Sequence, residues 1–171
     1  MSKNKKLALK YNAKILPFKE LPNEACYAII HYMAVDGEAW EVSDELAKSF
    51  EQGWNKLDYR KVQNSHKKAI AKSLKFYTTK YGNLKFGYVN LPTSIAKQEC
   101  LKRMKETEEE INDFGYYHNW YIQGGEMPKH TNVKKWPCIL SSFDDELFQD
   151  GWHRFHRYIQ LGCKTIPCVF Y

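Results

Sequence analysis

The chain is 171 residues long and carries 26 Lys and Arg against 20 Asp and Glu, a net charge of +6. That length suits one domain with room for an insertion, and it can bury a core without disulfide or metal staples. With 9 Phe, 12 Tyr and 5 Trp it is too rich in bulky rings for a wholly disordered chain. No apolar run reaches the ~18–20 residues of a membrane span, and the opening Met-Ser-Lys-Asn-Lys-Lys lacks the apolar stretch of a secretory signal. These exclusions lead us to expect a cytoplasmic protein with no membrane contact.

Residues 1–10 read as a basic, flexible arm. Lys3, Lys5, Lys6, Lys10 and Lys14 face no acid within 1–14, so the remainder of the chain is close to neutral. Ala13–Phe18 then reads as a short strand, closed by Pro17 and the Leu21-Pro22 corner. Asn23 is placed to cap a helix through Ala25, Ile29, Ile30 and Met33. Asp36-Gly37-Glu38 is a turn signal. Leu46, Phe50, Trp54 and Leu57 follow at helical spacing, and so do His66, Ile70, Leu74 and Tyr77. The other positions of that second run hold Lys67, Lys68, Lys72 and Lys75.

Charge is segregated along this part of the chain. Glu20–Glu51 holds eight acids and one base, whereas Lys56–Lys85 holds nine bases and the single acid Asp58. Two readings fit. The basic stretch, interleaved with Tyr59, Phe76, Tyr77 and Tyr81, offers lysines to phosphates and rings to bases, with Lys67, Lys68, Lys72 and Lys75 as the nucleic-acid contacts. Alternatively the aromatics belong to an apolar stripe, and helices of opposite charge neutralise each other.

Lys80-Tyr81-Gly82-Asn83 ends the helix, and Leu84–Asn90 alternates as a strand does. Pro92 and Thr93 open another helix, with Thr93 as its cap, extending to about Phe114 and turning acidic over residues 106–113. Residues 44–114 thus read as a helical insertion in a single domain spanning 1–171. Tyr116, Tyr117, Trp120 and Tyr121, before Gly124-Gly125, fit either packing under the helices or a surface for a partner. Cys26, Cys100, Cys138, Cys163 and Cys168 form no CxxC pair and have no histidine at zinc spacing. They read as small buried hydrophobes of a reducing compartment, and no metal site is expected from them.

The C-terminal unit carries the most information. Trp136–Ser141 reads as a buried strand, Phe143-Asp144-Asp145 as a turn, and Glu146–Gln149 as an extended piece ending at Asp150-Gly151. A helix follows from Trp152 to Leu161 with Gly162 as its C′ residue, and Lys164–Tyr171 closes as a strand. A glycine just before a helix lets backbone N–H groups approach an anion, and the helix dipole adds favourable potential there. His153 and Arg154 add a donor and a guanidinium fork, and Arg157 falls on the His153 face one turn on. That is the chemistry of a phosphate pocket. The same residues also fit a plain helix start in which Asp150 caps and the bases pair with nearby acids.

The run Leu147–Val169, with Asp150-Gly151-Trp152-His153-Arg154, Leu161-Gly162 and Ile166-Pro167, resembles the signature of the ParB/sulfiredoxin superfamily. The resemblance covers the C-terminal unit and implies a small α/β (α+β) domain with a mixed sheet. It implies that Gly151, His153 and Arg154 contact the phosphates of ATP or CTP, with Asp150 shaping the turn. Relatives include partition proteins, sulfiredoxins, free-serine kinases and ParB-like nucleases. Trp152 stands where sulfiredoxins keep their catalytic cysteine, so sulfinic-acid reduction is not implied. A partition protein continues into a helix-turn-helix and a dimerisation tail, whereas this chain ends at Tyr171. The expectation is therefore nucleotide-dependent phosphoryl-transfer or phosphodiester chemistry. Glu38 is the candidate acidic base beside His153, and Mg²⁺ would sit on Asp36 or Glu38. The competing expectation is a non-catalytic module that binds nucleic acid or a host protein, as a phage or mobile-element inhibitor would.

Overall fold

The computed structural model describes residues 10–33, 40, 67–98, 136–140 and 148–170. In chain order these form β1 (Lys14–Pro17), a 3₁₀ turn (Phe18–Glu20), α1 (Asn23–His31), α2 (Lys67–Tyr81), β2 (Lys85–Pro92), β3 (Cys138–Leu140), β4 (Phe148–Asp150), α3 (Trp152–Gln160) and β5 (Thr165–Phe170). Residues 93–98 add a helical stretch. The strands of the described residues make one mixed α/β sheet in the order β1-β2-β5-β3-β4. β5 lies between β2, which it pairs antiparallel, and β3, which it pairs parallel.

Side chains on successive strand residues point to opposite faces, and here both faces are covered. Phe86 and Tyr88 of β2, Ile139 of β3 and Val169 of β5 pack with α1, the 3₁₀ turn and Tyr77 of α2. Val89 and Leu91, Cys138 and Leu140, and Ile166, Cys168 and Phe170 pack on the other side with Phe155 and Tyr158 of α3. This explains why β3 and β5 read as nearly unbroken apolar runs: Cys138–Leu140 and Ile166–Phe170 are buried throughout.

The helix faces follow from the sequence periodicity. α1 buries Ala25, Cys26, Ala28, Ile29 and Ile30. Its N-cap is Pro22, whose carbonyl accepts from the N–H groups of Ala25 and Cys26 at 2.9 and 3.0 Å, so Asn23 is the first helical residue rather than the cap. Thr93 also departs from its expected capping role: its hydroxyl donates to the Cys163 carbonyl, and its N–H bonds Lys164 O at 2.9 Å. That ties the 93–98 stretch to the turn between α3 and β5. Trp40 stacks on Tyr81 and Tyr77 with ring centroids 4.3 and 5.0 Å apart and meets Phe18 edge-on at 5.5 Å.

Within the span 44–114, expected as a helical insertion, residues 85–92 form a strand between β1 and β5, and Tyr77 is fully buried. This part of the span belongs to the sheet and its core. The Leu46–Leu57 run, the 36–38 turn, the Tyr116–Tyr121 segment and the Phe143–Asp145 turn lie outside the described residues, as do residues 1–9 of the arm.

α3 ends as its sequence implies. Gly162 has φ +65°, its N–H bonds Ile159 O, and the Cys163 N–H bonds Tyr158 O, both at 3.0 Å. This is a Schellman closure, in which a left-handed residue lets the chain turn back and satisfies the last carbonyls. Across the layer, the Tyr158 hydroxyl donates to Trp136 O at 2.9 Å, fastening α3 to the start of β3.

These contacts give a graded stability prediction. Trp136→Ala, at a site 2% exposed, should lower unfolding free energy by about 3–5 kcal/mol. Nothing lies within 4 Å of a Cβ built at Gly162, so Gly162→Ala should cost only the left-handed backbone strain, about 1–2 kcal/mol. Urea titration of the two variants should preserve that order.

Candidate functional site

β4 lies at the edge of the sheet, and the chain must leave it and enter α3 at once. Gly151 makes that junction. It is the N-cap of α3 with φ +97° and ψ +22°, a left-handed conformation that L side chains rarely adopt. A Cβ there would sit 2.9 Å from Arg154 Nη2 and 3.1 Å from Cys138 Cα. Glycine is thus demanded both by the backbone and by the closeness of β3 beneath it. The Cys138 thiol donates to Gly151 O at 3.5 Å, and the Phe155 N–H bonds the same carbonyl at 2.8 Å as the first helical bond.

Asp150 and Arg154 close over this junction. Arg154 Nη2 donates to Asp150 Oδ2 at 2.7 Å, with the side chains 5% and 18% exposed. Burial alone would push the Asp150 carboxyl up. The Arg154 guanidinium, His31 at the end of α1, and hydrogen bonds from Arg154 and the Gly151 N–H outweigh burial and hold it below its ordinary value. Asp150 is therefore ionised at neutral pH, and the pair is a hydrogen-bonded ion pair in an apolar layer.

The neighbouring groups are inert. Burial drives the Cys138 thiol up to about 12, against the pull of Arg154, so no thiolate nucleophile forms there at neutral pH. Tyr158 is also raised well above its usual value, chiefly by burial. Cys26, Cys138, Cys163 and Cys168 are free thiols; the first two and Cys168 are buried as expected, while Cys163 sits half-buried in the turn after α3. Cys100 lies outside the described residues. Among the described residues no group of three His, Cys, Asp or Glu could hold a metal ion, and no helix is long and apolar enough to cross a membrane.

The sequence-predicted site residues fall into four sets. Asp150, Gly151 and Arg154 come together at the β4–α3 junction, where Arg154 takes Asp150 as partner. His153 contributes its backbone to the first turn of α3, and its side chain lies outside the described residues, as does Glu38. Arg157 turns away: its Nη1 donates to Gln160 Oε1 at 3.3 Å, toward the C-terminal end of α3. On α2, Lys72 and Lys75 are exposed, and the side chains of Lys67 and Lys68 lie outside the described residues. Sequence reasoning missed Cys138, whose thiol bonds Gly151 O from β3, and His31 of α1, whose charge acts on Asp150. No local spacing signals them, because they are neighbours only through the sheet.

Comparison with protein-family models, with curated proteins and with solved structures finds no match for this chain.

The ion pair has a pH signature. A carboxyl depressed in the folded state stabilises fully above the ordinary carboxylate value of about 3.9. As pH falls below that value the unfolded chain takes up the proton first, and stability is lost until pH passes the lower folded value. Asp150→Asn should cost about 3 kcal/mol at pH 7, because it leaves the Arg154 charge buried without its carboxylate. Urea unfolding from pH 7 to pH 3 should show the gap between wild type and Asp150→Asn narrowing as pH falls. A gap that stays constant would mean that Asp150 is not depressed.

Proposed function

We propose that this chain binds the phosphates of a nucleotide, ATP or CTP, at the β4–α3 junction. The observation that carries the reading is Gly151 as a left-handed N-cap. It has no side chain to cap α3, and the first turn of the helix contains no acid. The leading N–H groups of a helix, with the positive end of its dipole, favour an anion. The likeness of Asp150–Arg154, Leu161-Gly162 and Ile166-Pro167 to the ParB/sulfiredoxin signature supports the same placement.

In this reading each residue has a distinct task. The Asp150–Arg154 pair holds the turn, and because its charges balance, most of the attraction for phosphate comes from the helix end. His153, the second residue of α3, supplies the side-chain donor. Arg157 is not part of the phosphate site. The reaction implied by the resemblance is phosphoryl transfer or phosphodiester cleavage, whose main demands are positioning and charge neutralisation. The acidic base Glu38 and a Mg²⁺ on Asp36 or Glu38 belong to that proposal alone, since those residues lie outside the described ones. The free thiols fit a reducing, cytoplasmic setting.

Isothermal titration calorimetry with ATP and with CTP tests the proposal. Wild type should bind at least one of them, and His153→Ala should weaken binding by about tenfold, as expected for loss of one charge-assisted hydrogen bond. Absence of heat and of thermal stabilisation with either nucleotide would sink the reading.

A further inference from the structure

A second anion-attracting surface lies on α2, away from the β4–α3 junction. Between Asp58 and Glu99 the sequence contains nine Lys and Arg and no acid. The described part of that stretch folds as α2 and β2, and it presents Lys72, Lys75, Lys80 and Lys85 as exposed side chains. Two ridges of α2 face outward. Residues 72, 76 and 80 form one at four-residue spacing, and 75 and 79 form the next.

At the centre of the first ridge stands a ring that touches the core only edge-on, through Tyr77 at a centroid distance of 5.1 Å. Tyr77 is fully buried, and Tyr81 stacks on Trp40. Phe76, by contrast, is 45% exposed. Lys72 lies one turn before it and Lys80 one turn after, and Lys80 Nζ sits 5.9 Å from the Phe76 centroid. The ridge leads into an open groove of about 430 Å³ lined by Lys19, Thr78, Lys80, Tyr81, Asn83 and Leu84. Lys19 Nζ donates to Asn83 Oδ1 at 3.0 Å, bringing a cation from the 3₁₀ turn to the groove wall.

We infer that the exposed face of α2 and this groove bind single-stranded nucleic acid. From Lys72 to Lys80 the helix rises about 12 Å, enough to follow several backbone phosphates. Lysines act as compact charges for phosphate, while Phe76 offers a platform on which an unpaired base can stack. A duplex keeps its bases stacked on one another and leaves such a ring without use. An acidic protein would match the lysines, but it would gain nothing specific from one ring set between amines. The surface is separate from the nucleotide proposal and shares no residue with it.

Fluorescence anisotropy with a labelled twelve-residue oligothymidylate, from 50 to 200 mM salt, tests the inference. Wild type should bind, with affinity falling steeply as salt rises. Phe76→Ala should weaken binding by about tenfold, in the range of one lost base–aromatic stack. Lys72→Gln/Lys75→Gln should make the log–log salt slope shallower by about 1.4, for two single-strand phosphate contacts. Lys72, Lys75 and Phe76 lie on the outer face of α2, so thermal melts should show every variant fully folded at the assay temperature, with Phe76→Ala losing only its edge contact to Tyr77. His153→Ala should leave oligonucleotide binding unchanged, and the lysine variant should leave ATP and CTP binding unchanged. Failure at one surface is thereby distinguished from failure at the other. The inference is overturned if the oligonucleotide does not bind, if a duplex of equal length binds more tightly, or if Phe76→Ala binds as wild type does. It is equally overturned if polyglutamate competes as well as the oligonucleotide, which would assign the face to an acidic protein.

Discussion

The parallel pairing of β5 with β3 is the constraint from which the rest of the architecture follows. β5 is buried on both faces and hydrogen-bonded on both edges, to β2 on one side and β3 on the other. A parallel pair cannot be joined by a tight hairpin, so the chain between β3 and β5 has to cross from one end of the sheet to the other. β4 and α3 make that crossing. α3 lies against the sheet through Phe155 and Tyr158, and the Schellman turn at Gly162 returns the chain into β5. The left-handed Gly151 is a consequence: an edge strand must become a helix over one residue, directly above the backbone of Cys138.

This geometry gives the junction its charge balance. Arg154 is held in the third position of α3, where its side chain folds back over Gly151 to Asp150. A buried guanidinium is tolerated only because a carboxylate meets it at hydrogen-bond distance, and such a pair adds more to the definition of the turn than to net stability. The phosphate reading therefore relies on the helix end rather than on an uncompensated arginine. The proposal for the α2 surface rests on different physics. Its charges are exposed lysines, individually weak and screened by salt, effective only as an array.

Much of the fold was legible in the chain. The strands and helices at 14–17, 23–31, 67–81, 85–92, 148–150, 152–160 and 165–170 follow from periodicity and from Gly, Pro and Asn punctuation, because α and β elements impose different spacings on apolar residues. Helix starts were less legible. At Asn23 and Thr93 a capping residue is present in the sequence, but the preceding proline takes the boundary, and the Thr93 hydroxyl is drawn to Cys163. The role of residues 85–92 was also obscured, since a strand reads the same whether it joins a small inserted unit or the middle of the main sheet.

The candidate site divides in the same way. Sequence by itself determined that Gly151 begins a helix, that Asp150, His153 and Arg154 flank it, and that bases crowd the region of α2, for these are properties of neighbours along the chain. Tertiary structure alone decided that Arg154 is spent on Asp150, that Cys138 bonds Gly151 and the His31 charge acts on Asp150, and that Arg157 turns away. It also decided which rings of α2 serve the core. Tyr77 follows Leu74 at helical spacing whereas Phe76 does not, but the sequence left both open to the apolar stripe; only one direction around the helix meets the sheet, and Phe76 is left 45% exposed among the lysines.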